Sequence, residues 1–370
     1  MSTQFKIVHS INDVDEKSWN HLVKGSSPFL ETSFLKAFEI NNDSSHLVPF
    51  YISWEKGIIY GHLIKIDGQK VGNYLNSKKY SLKKLFLNQI NLQFFCFGNT
   101  HLSNVSSVSF KNNKLSEHDF KSLIAQLKKE FKINFFLFPD YFLNRLDFDK
   151  SNSNYMSSEF KIDPDMVLKL NSKWSLFDDY KNSVSSKYKK RIISVLNKSK
   201  DLVIRKIESE EIESLLPVLQ NLYNNVHGKS SFSGAPMNIA TFKELLNQSA
   251  IEFSIFGYFL NSEIIAFSSE FFINKSLYSY FIGLNYQHNK NFSLYNRILY
   301  DSIEHGIKKK AEKIIYGRTA SEFKSTIGAI PLESKITIHI NNKVLRFIIY
   351  PIIKKISPKK WIQRNPFKTR

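Results

Sequence analysis

Charged side chains are concentrated in one short segment, Tyr316–Ala329, with the sequence YGRTASEFKSTIGA. Arg318, Glu322 and Lys324 lie there between two glycines, directly after an apolar run that predicts a strand. Binding groups are common at such positions, because the strand holds them rigidly and the loop exposes them. The alternative is an ion pair between Arg318 and Glu322 across one helical turn, which involves no ligand.

A second candidate site lies at the start of a predicted helix, Ser293–Lys308. N–H groups exposed in the first turn of a helix favour a phosphate or a carboxylate, although Ser293 would also serve as an ordinary N-cap. The residues before the helix, 285–292, predict an irregular loop. His288 in this loop could act as a base, and the alternative is a plain exposed histidine.

The predicted helix Ser183–Ser199 has two different faces. Its apolar residues recur at helical spacing and predict a face turned to the core. Lys187, Lys190, Arg191 and Lys198 flank that face. They form either a solvated surface or a surface that binds an anion.

Several common classes of active site are excluded at the level of motifs. The sequence has no GxGxxG, GxxxxGK[ST], HExxH, GxSxG or CxxC motif, which argues against the usual dinucleotide, P-loop, zinc-protease and serine-hydrolase sites. The single cysteine, Cys96, lies in an apolar run and is expected in a buried strand. One cysteine allows neither an intrachain disulfide nor a multi-cysteine zinc site, and we expect no bound metal.

Composition predicts a folded, basic protein. The chain has 370 residues, of which 42% are hydrophobic and 14% aromatic, enough for two ordinary domains. Its net charge of +19 suits nucleic acid, anionic lipid or a phosphate-bearing substrate; the alternative is a genome biased towards lysine codons. The sequence shows neither a signal peptide nor 18 consecutive apolar residues, so a cytoplasmic protein is expected.

The order of predicted elements indicates a mixed α/β fold that occurs twice. Residues 1–160 form the first subdomain, 165–345 the second, and 346–370 a basic tail with a mobile end. A polar, aperiodic stretch at 150–165 separates the subdomains. Each has helices first, then an antiparallel meander, then a helix that leads into one more strand. The corresponding segments are Val48–Ile66, Glu117–Phe131 and Ile133–Phe138 in the first, and Glu252–Leu284, Ser293–Lys308 and Lys313–Tyr316 in the second.

The second subdomain carries a recognisable series of features. A basic helix with Ser186, Lys187, Lys190 and Arg191 precedes a meander that ends in YFIGLN at 280–285. A helix ending in His-Gly follows, then GRTA and a lysine before a final Gly-Ala. In this order the features resemble the acetyltransferase-like domain of the GNAT superfamily, as found in the Fem-type peptidoglycan aminoacyltransferases and their bacterial relatives.

The resemblance extends to the first subdomain through Trp19, Pro28-Phe29-Leu30 and Phe34-Leu35. It implies two tandem GNAT-like subdomains, each a mostly antiparallel sheet flanked by helices. It also implies transfer of an acyl or aminoacyl group to an amine, with no tightly bound cofactor and with acyl-CoA or aminoacyl-tRNA as co-substrate. The glycine-rich pyrophosphate loop of typical acetyltransferases is missing here, as is the helical hairpin that many Fem-type enzymes carry for tRNA.

Site residues follow from the resemblance as hypotheses. The donor would lie in a cleft where two central strands splay, and the transfer needs a deprotonated amine and a proton for the leaving group. The candidate catalytic residues are Tyr280, His288 and Arg318. The candidate substrate-binding residues are Lys187, Lys190, Arg191, Glu322 and Lys324. The candidate residues for the donor phosphates are Lys290, Phe292, Ser293 and Leu294.

Two functions stay open at this point. One is an acyltransferase that acts in cell-envelope or polysaccharide biosynthesis; the other is a catalytically inactive GNAT-like module that binds a polyanion or a membrane surface. The expected partners are an acyl donor and an amine-bearing acceptor. Binding of tRNA and peripheral attachment to the inner membrane are compatible with the basic charge, and no DNA is expected.

Overall fold

The computed structural model describes residues 3–42, 47–67, 91–103, 105–133, 135–149, 159–229, 236–248, 251–353 and 360–368. Its strands are β1 (Lys6–Val8), β2 (Leu47–Trp54), β3 (Gly57–Asp67), β4 (Asn91–Cys96), β5 (Val108–Phe110), β6 (Phe135–Pro139), β7 (Glu159–Lys169), β8 (Val203–Lys206), β9 (Glu252–Leu260), β10 (Glu263–Ile273), β11 (Ser276–Leu284), β12 (Lys313–Ile315) and β13 (Ile330–Ile340). Its α-helices are α1 (Glu16–Val23), α2 (Thr32–Asn41), α3 (Glu117–Phe131), α4 (Asp140–Leu143), α5 (Phe177–Ser183), α6 (Ser186–Lys198), α7 (Ile212–Lys229), α8 (Thr241–Leu246), α9 (Tyr286–Phe292), α10 (Leu294–Lys308), α11 (Ser321–Ser325) and α12 (Lys343–Ile353). None of the helices in these ranges has both the length and the apolar composition needed to cross a bilayer.

The chain divides into two compact units. Unit 1 comprises residues 1–162 and 334–358, and unit 2 comprises residues 163–333 and 359–370. The predicted subdomains were continuous in sequence, whereas β7 and β13 each begin in one unit and end in the other. The described end of the predicted linker, 159–165, is therefore strand and not loop, while residues 150–158 lie outside the described ranges.

The sheets of the two units share one pattern of parallel and antiparallel pairs. In unit 1 the order is β1-β2-β3-β4-β6-β13, with β4 and β6 parallel, the other pairs antiparallel, and β5 added beside β3. In unit 2 the order is β8-β9-β10-β11-β12-β7, with β11 and β12 parallel and the other pairs antiparallel. Both sheets are mostly antiparallel and flanked by helices, so the predicted fold class is confirmed.

Tight hairpins define the meander β9–β10–β11, whose bounds match the sequence-based prediction. The two turns contain only Asn261-Ser262 and Asn274-Lys275, and all four residues have positive φ, from 46° to 70°. Two-residue turns of this kind match the twist of the flanking strands, and asparagine tolerates the left-handed conformation well. Short turns fix the register, and thereby which side chains of the meander share a face.

The helices bury apolar faces against the sheets. In unit 1, α3 contributes Leu123 and Leu127 to a core lined by aromatic rings of β2, β4 and β6. In unit 2, α10 contributes Leu299 and Ile303 to a core that also contains Ile314 of β12. Each fully buried aliphatic side chain of this size contributes roughly 1.5–3 kcal/mol to stability. Helix α10 is thus fixed above the central strands β11 and β12.

The prediction of a basic tail with a mobile end is wrong for the described residues, 346–353 and 360–368. Helix α12 occupies residues 343–353 and buries Leu345 and Ile349 in unit 1. Residues 360–368 pack on unit 2, where the N–H of Ser185 donates to the carbonyl of Pro366 at 2.8 Å. The partly buried ring of Phe367 packs against the core of that unit. Apolar side chains among the basic ones explain this docking.

Replacing Gly328 by alanine should destabilise the protein. Gly328 has a φ of +93°, and an added Cβ would lie 2.4 Å from the ring of Phe367. We expect the free energy of unfolding to fall by about 2–4 kcal/mol, from backbone strain and steric overlap together. Chemical denaturation measures the change.

The matched control is Gly228→Ala. Gly228 lies in α7, where an added Cβ would meet nothing within 4 Å. Stability there should stay the same or rise by about 0.5–1 kcal/mol. Equal effects of the two substitutions would contradict the docking of Phe367.

Candidate functional site

The two parallel strands of unit 2 pair only at their starts. β11 pairs with β12 from Ser276, opposite Lys313, to Tyr278, opposite Ile315. There β12 ends, while β11 continues to Leu284. In the described part of the chain, no strand takes the place of β12 along this edge of β11. Beyond Tyr278, β11 therefore has an unpaired edge on the side of β12. We call the space beside this edge the opening.

A β-bulge lies in β11 directly beyond its last pair with β12. The register of the β10–β11 pairing shifts between Ser268 and Glu270. Ser269 therefore faces two residues of β11, Tyr280 and Phe281, whose ring centroids are 4.4 Å apart. The Ser269 hydroxyl donates to the Phe281 carbonyl at 2.7 Å, which stabilises the irregularity. A bulge bends its strand, and here it does so at the opening.

Tyr280 is the one predicted catalytic residue that the structure places at this bulge. Its ring packs against Phe271 at 4.8 Å between centroids, and its hydroxyl donates to the Met237 sulfur at 3.3 Å. Burial raises the pKa of Tyr280 well above its usual value, and nearby Tyr223 adds to the effect. Tyr280 thus keeps its proton at neutral pH and does not act as a base there, and the same shift makes it a weaker acid than a free tyrosine.

Lys324 stabilises the final loop from inside. Its ammonium is buried and donates to the carbonyls of Tyr316, Gly317 and Arg318 at 2.7, 3.3 and 2.8 Å. A lysine ammonium has three donors, and all three find an acceptor in this loop. The structure therefore does not support the expected role of Lys324 as a substrate ligand.

The alternative considered for Arg318, an ion pair with Glu322 across one helical turn, is not what the structure shows. Helix α11 begins only at Ser321, so the two residues do not share a helical turn. The guanidinium of Arg318 lies 3.8 Å from the buried carboxylate of Asp165, with 34% of its side chain exposed. Glu322 accepts from Arg364 of the C-terminal segment at 2.6 Å. Of the charged groups in this loop, Arg318 is the one whose side chain reaches the surface without a close ion pair.

The residues expected to hold donor phosphates lie at the junction of two helices. The predicted irregular loop is wrong, since residues 286–292 form α9, capped by the side chain of Asn285. Ser293 joins the helices with a φ of 52° and makes no side-chain cap. Asn289 instead accepts the N–H of Tyr295 at 3.0 Å. The first turn of α10 therefore has part of its N–H groups satisfied by the protein.

Side chains at that junction differ in exposure. Lys290 is exposed on α9, whereas Leu294 is fully buried in the core of unit 2. Phe292 is partly buried and packs against the same core cluster. His288 lies in α9 beside Phe292, with 6.1 Å between ring centroids, and is not part of the bulge. Lys290 is the member of this group that could contact a phosphate from the surface.

The basic helix α6 contacts α10 and α11 through Arg191. Its guanidinium lies 4.9 Å from the ring centroid of Phe323 and donates to Asn296 at 3.4 Å. Lys187 and Lys190 are exposed on the same helix. The structure thus brings Arg191 next to the start of α10, and leaves the two lysines on the surface.

A band of polar side chains beneath α10 was missed by the sequence analysis. Asp301 accepts from Tyr258 at 2.9 Å and from Arg297 at 2.7 Å, and burial raises the pKa of its carboxyl group. Glu270 lies nearby and pairs with His305 at 3.2 Å. Arg297, Asp301 and His305 recur every fourth residue on α10, which is a sequence signal for one polar helix face. Tyr258 and Glu270 come from separate strands, and no sequence spacing links them to that face.

No protein-family model and no curated protein matches the chain. Similar solved structures include FemX, with a TM-score of 0.49 and 11% identity over 93% of this chain and 99% of that one. The C-terminal domain of a putative lysylphosphatidylglycerol synthetase from Agrobacterium fabrum has a TM-score of 0.48 and 10% identity over 93% of this chain and 95% of that one. A tandem GNAT protein from the clavulanic acid biosynthesis pathway has a TM-score of 0.48 and 10% identity, covering 91% and 98% of the chains.

The role of Lys324 predicts a dependence of stability on pH. Burial lowers the pKa of Lys324 from 10.5 to about 7. Between these values the unfolded chain binds one proton more than the folded chain at this residue, so stability rises with pH. We expect the stability of the wild type relative to Lys324→Met to increase across this window, by up to about 1.4 kcal/mol per pH unit. Denaturant unfolding at several pH values measures it.

The control for this experiment is Lys290→Met, because Lys290 is exposed on α9. The stability difference between the wild type and this variant should not change with pH over the same window. If the stability difference between the wild type and Lys324→Met is also independent of pH, this result contradicts the burial of the Lys324 ammonium.

Proposed function

We propose that the chain is an acyltransferase that moves an acyl or aminoacyl group from a thioester or an aminoacyl-tRNA to an amine, and that unit 2 carries the reaction. The observation that supports this best is the unpaired edge of β11 at the bulge. It combines free backbone groups, a protonated tyrosine and a strand end in one place. Fold likeness alone would not support it, because related folds host different activities.

The unpaired edge suits a donor that contains amide groups. A strand edge without a partner presents N–H and C=O groups, and an extended ligand binds there much as an added strand would. An acyl carbonyl that receives a backbone N–H is stabilised when it becomes an oxyanion. The edge beyond Tyr278 would thus hold the donor and polarise its carbonyl.

Proton transfer assigns a role to Tyr280. The amine nitrogen attacks the acyl carbon, the C–N bond forms, and the C–S or C–O bond of the donor breaks. The leaving thiolate or alkoxide then takes a proton, which Tyr280 would supply. Arg318, three residues after the end of β12, would bind an anionic part of donor or acceptor through its partly exposed side chain.

The identity of both substrates belongs to the same proposal. CoA and tRNA are anionic, which suits a chain with a net charge of +19. We propose a cytoplasmic enzyme that acts on an amine of a cell-envelope or polysaccharide precursor. His288 and the residues Lys290–Leu294 remain candidates for the outer part of the donor site.

One observation favours a second candidate, an inactive module that binds a polyanion. Lys187, Lys190 and Lys198 are exposed along α6, beside the guanidinium of Arg191. Binding through such a surface weakens steeply as salt concentration rises. The salt dependence of polyanion binding therefore distinguishes this inactive module from an enzyme whose donor site lies at the opening.

Tyr280→Phe tests the proposed chemistry. The variant keeps the ring and its packing but removes the proton. We expect kcat for amide formation to fall about 100-fold or more, with little change in thermal stability. The assay incubates the purified chain with acyl-CoA thioesters or charged tRNA and a mixture of envelope-derived amines, and detects amides by mass spectrometry.

The matched control is Tyr278→Phe, since Tyr278 lies on the same strand within the part paired to β12. It should retain wild-type activity within about threefold. No amide from any donor, together with polyanion binding that moderate salt abolishes, would contradict the enzyme and favour the inactive module.

A further inference from the structure

Three polar residues lie side by side where β11 and β12 stop pairing. Glu270 of β10 lies opposite Ser279, which is the first residue of β11 beyond the pairing with β12. Tyr316 is the first residue beyond that pairing on the other strand. Its hydroxyl contacts Ser302 at 3.0 Å and Leu299 at 3.2 Å, both in α10. The root of the opening is therefore polar on the face beneath α10.

The carboxylate of Glu270 is buried but only half satisfied. Glu270 is 3% exposed, and its Oε2 accepts from Nδ1 of His305 at 3.2 Å. Its Oε1 has no hydrogen-bond partner among the described residues. A buried acceptor without a partner costs free energy, and native structures rarely keep one without a reason.

A neighbouring carboxylate shows how a structural acid is held in this same band. Asp301 accepts from Arg297 at one oxygen and from Tyr258 at the other. Both of its oxygens therefore have a donor. Glu270 differs, since one oxygen is bonded and the other is left for a group that the protein does not supply.

His305 is held in position to serve Glu270. Its ring stacks on Phe256 with 4.0 Å between centroids, and 16% of its side chain is exposed. The stacking fixes the ring while Nδ1 donates to Glu270, and the exposed part gives a route to solvent. The pair thus links the buried carboxylate to water.

We propose that Glu270 accepts the proton of the attacking amine, and that His305 orients the carboxylate and returns this proton to solvent. The inference rests on the proposed acyl transfer. The amine nitrogen loses one proton to Oε1 of Glu270 as the C–N bond forms. The donor C–S or C–O bond breaks, and the leaving atom takes a proton from Tyr280, which regains one from water.

The position of Glu270 fits this role. An amine bound at the opening would lie beside Ser279, and neighbouring strands are about 4.8 Å apart. The Glu270 side chain stands on the face beneath α10, where it contacts His305, so the amine would reach the carboxylate from that face. A carboxylate with an available oxygen also selects for a basic amine as acceptor, so the acceptor class would be a primary or secondary alkyl amine.

The test compares Glu270→Gln with Glu263→Gln in the amide-forming assay. Glutamine keeps the size of the side chain but cannot take the proton. We expect kcat of Glu270→Gln to fall about 100-fold or more, with an unchanged KM for the donor. Glu263 is exposed at the start of β10, and its variant should behave as wild type.

His305→Ala provides a second, independent measurement. Because part of the His305 side chain reaches solvent, imidazole from solution can enter the space that the variant leaves. Added imidazole should then carry the proton in place of His305 and restore at least about a tenth of the lost activity. A merely structural role of His305 would give no rescue by imidazole. If Glu270→Gln fails to fold, this experiment decides the inference, and absence of rescue overturns it.

The outcomes separate the two proposals. An active wild type with an equally active Glu270→Gln variant overturns the role of Glu270 and leaves the acyltransferase intact. A wild type that forms no amide from any donor overturns both. A Glu270→Gln variant with a raised donor KM and an unchanged kcat also overturns the proposed role of Glu270. That pattern indicates a role in binding rather than in proton transfer.

Discussion

The parallel pairing between β11 and β12 extends over only three residue pairs, and the candidate site depends on this limit. If β12 continued, its ladder would occupy the edge of β11 and close the opening. The bulge at Tyr280 and Phe281 begins two residues after the last pair at Tyr278, so the strand bends where it becomes free. This single interruption of the sheet leaves the edge of β11 free beside the bulge at Tyr280, and Glu270 lies opposite Ser279 with its side chain on the face beneath α10.

The charged residues around the end of β12 serve mainly to hold that interruption in place. Lys324 donates to three loop carbonyls, and Glu322 is bonded to Arg364 of the returning C-terminal segment. Arg318 lies near Asp165. A loop with this many internal bonds is rigid, and a rigid wall beside the opening favours a preorganised site.

The sequence predicts the meander of unit 2 well, because alternating apolar residues and two-residue turns are local signals. It places Tyr280 on the correct strand for the same reason. The bulge depends on cross-strand register, which leaves no local mark. The pairing of Glu270 with His305 joins residues 35 positions apart. Lys324 bonds to a nearby loop, but its burial depends on how that loop packs in the folded protein. The crossing of β7 and β13 between units and the docking of Phe367 are likewise decided by tertiary packing.

Hydrogen exchange of backbone amides tests most directly whether the edge of β11 is the donor site. The full chain is compared alone and with a non-transferable donor, either an acyl-CoA thioether or an aminoacyl-tRNA amide. Binding along the edge predicts slower exchange for residues 279–284, with little change in β8 and β9. Donor binding that leaves these amides unaffected, or that protects only residues of unit 1, would contradict the account.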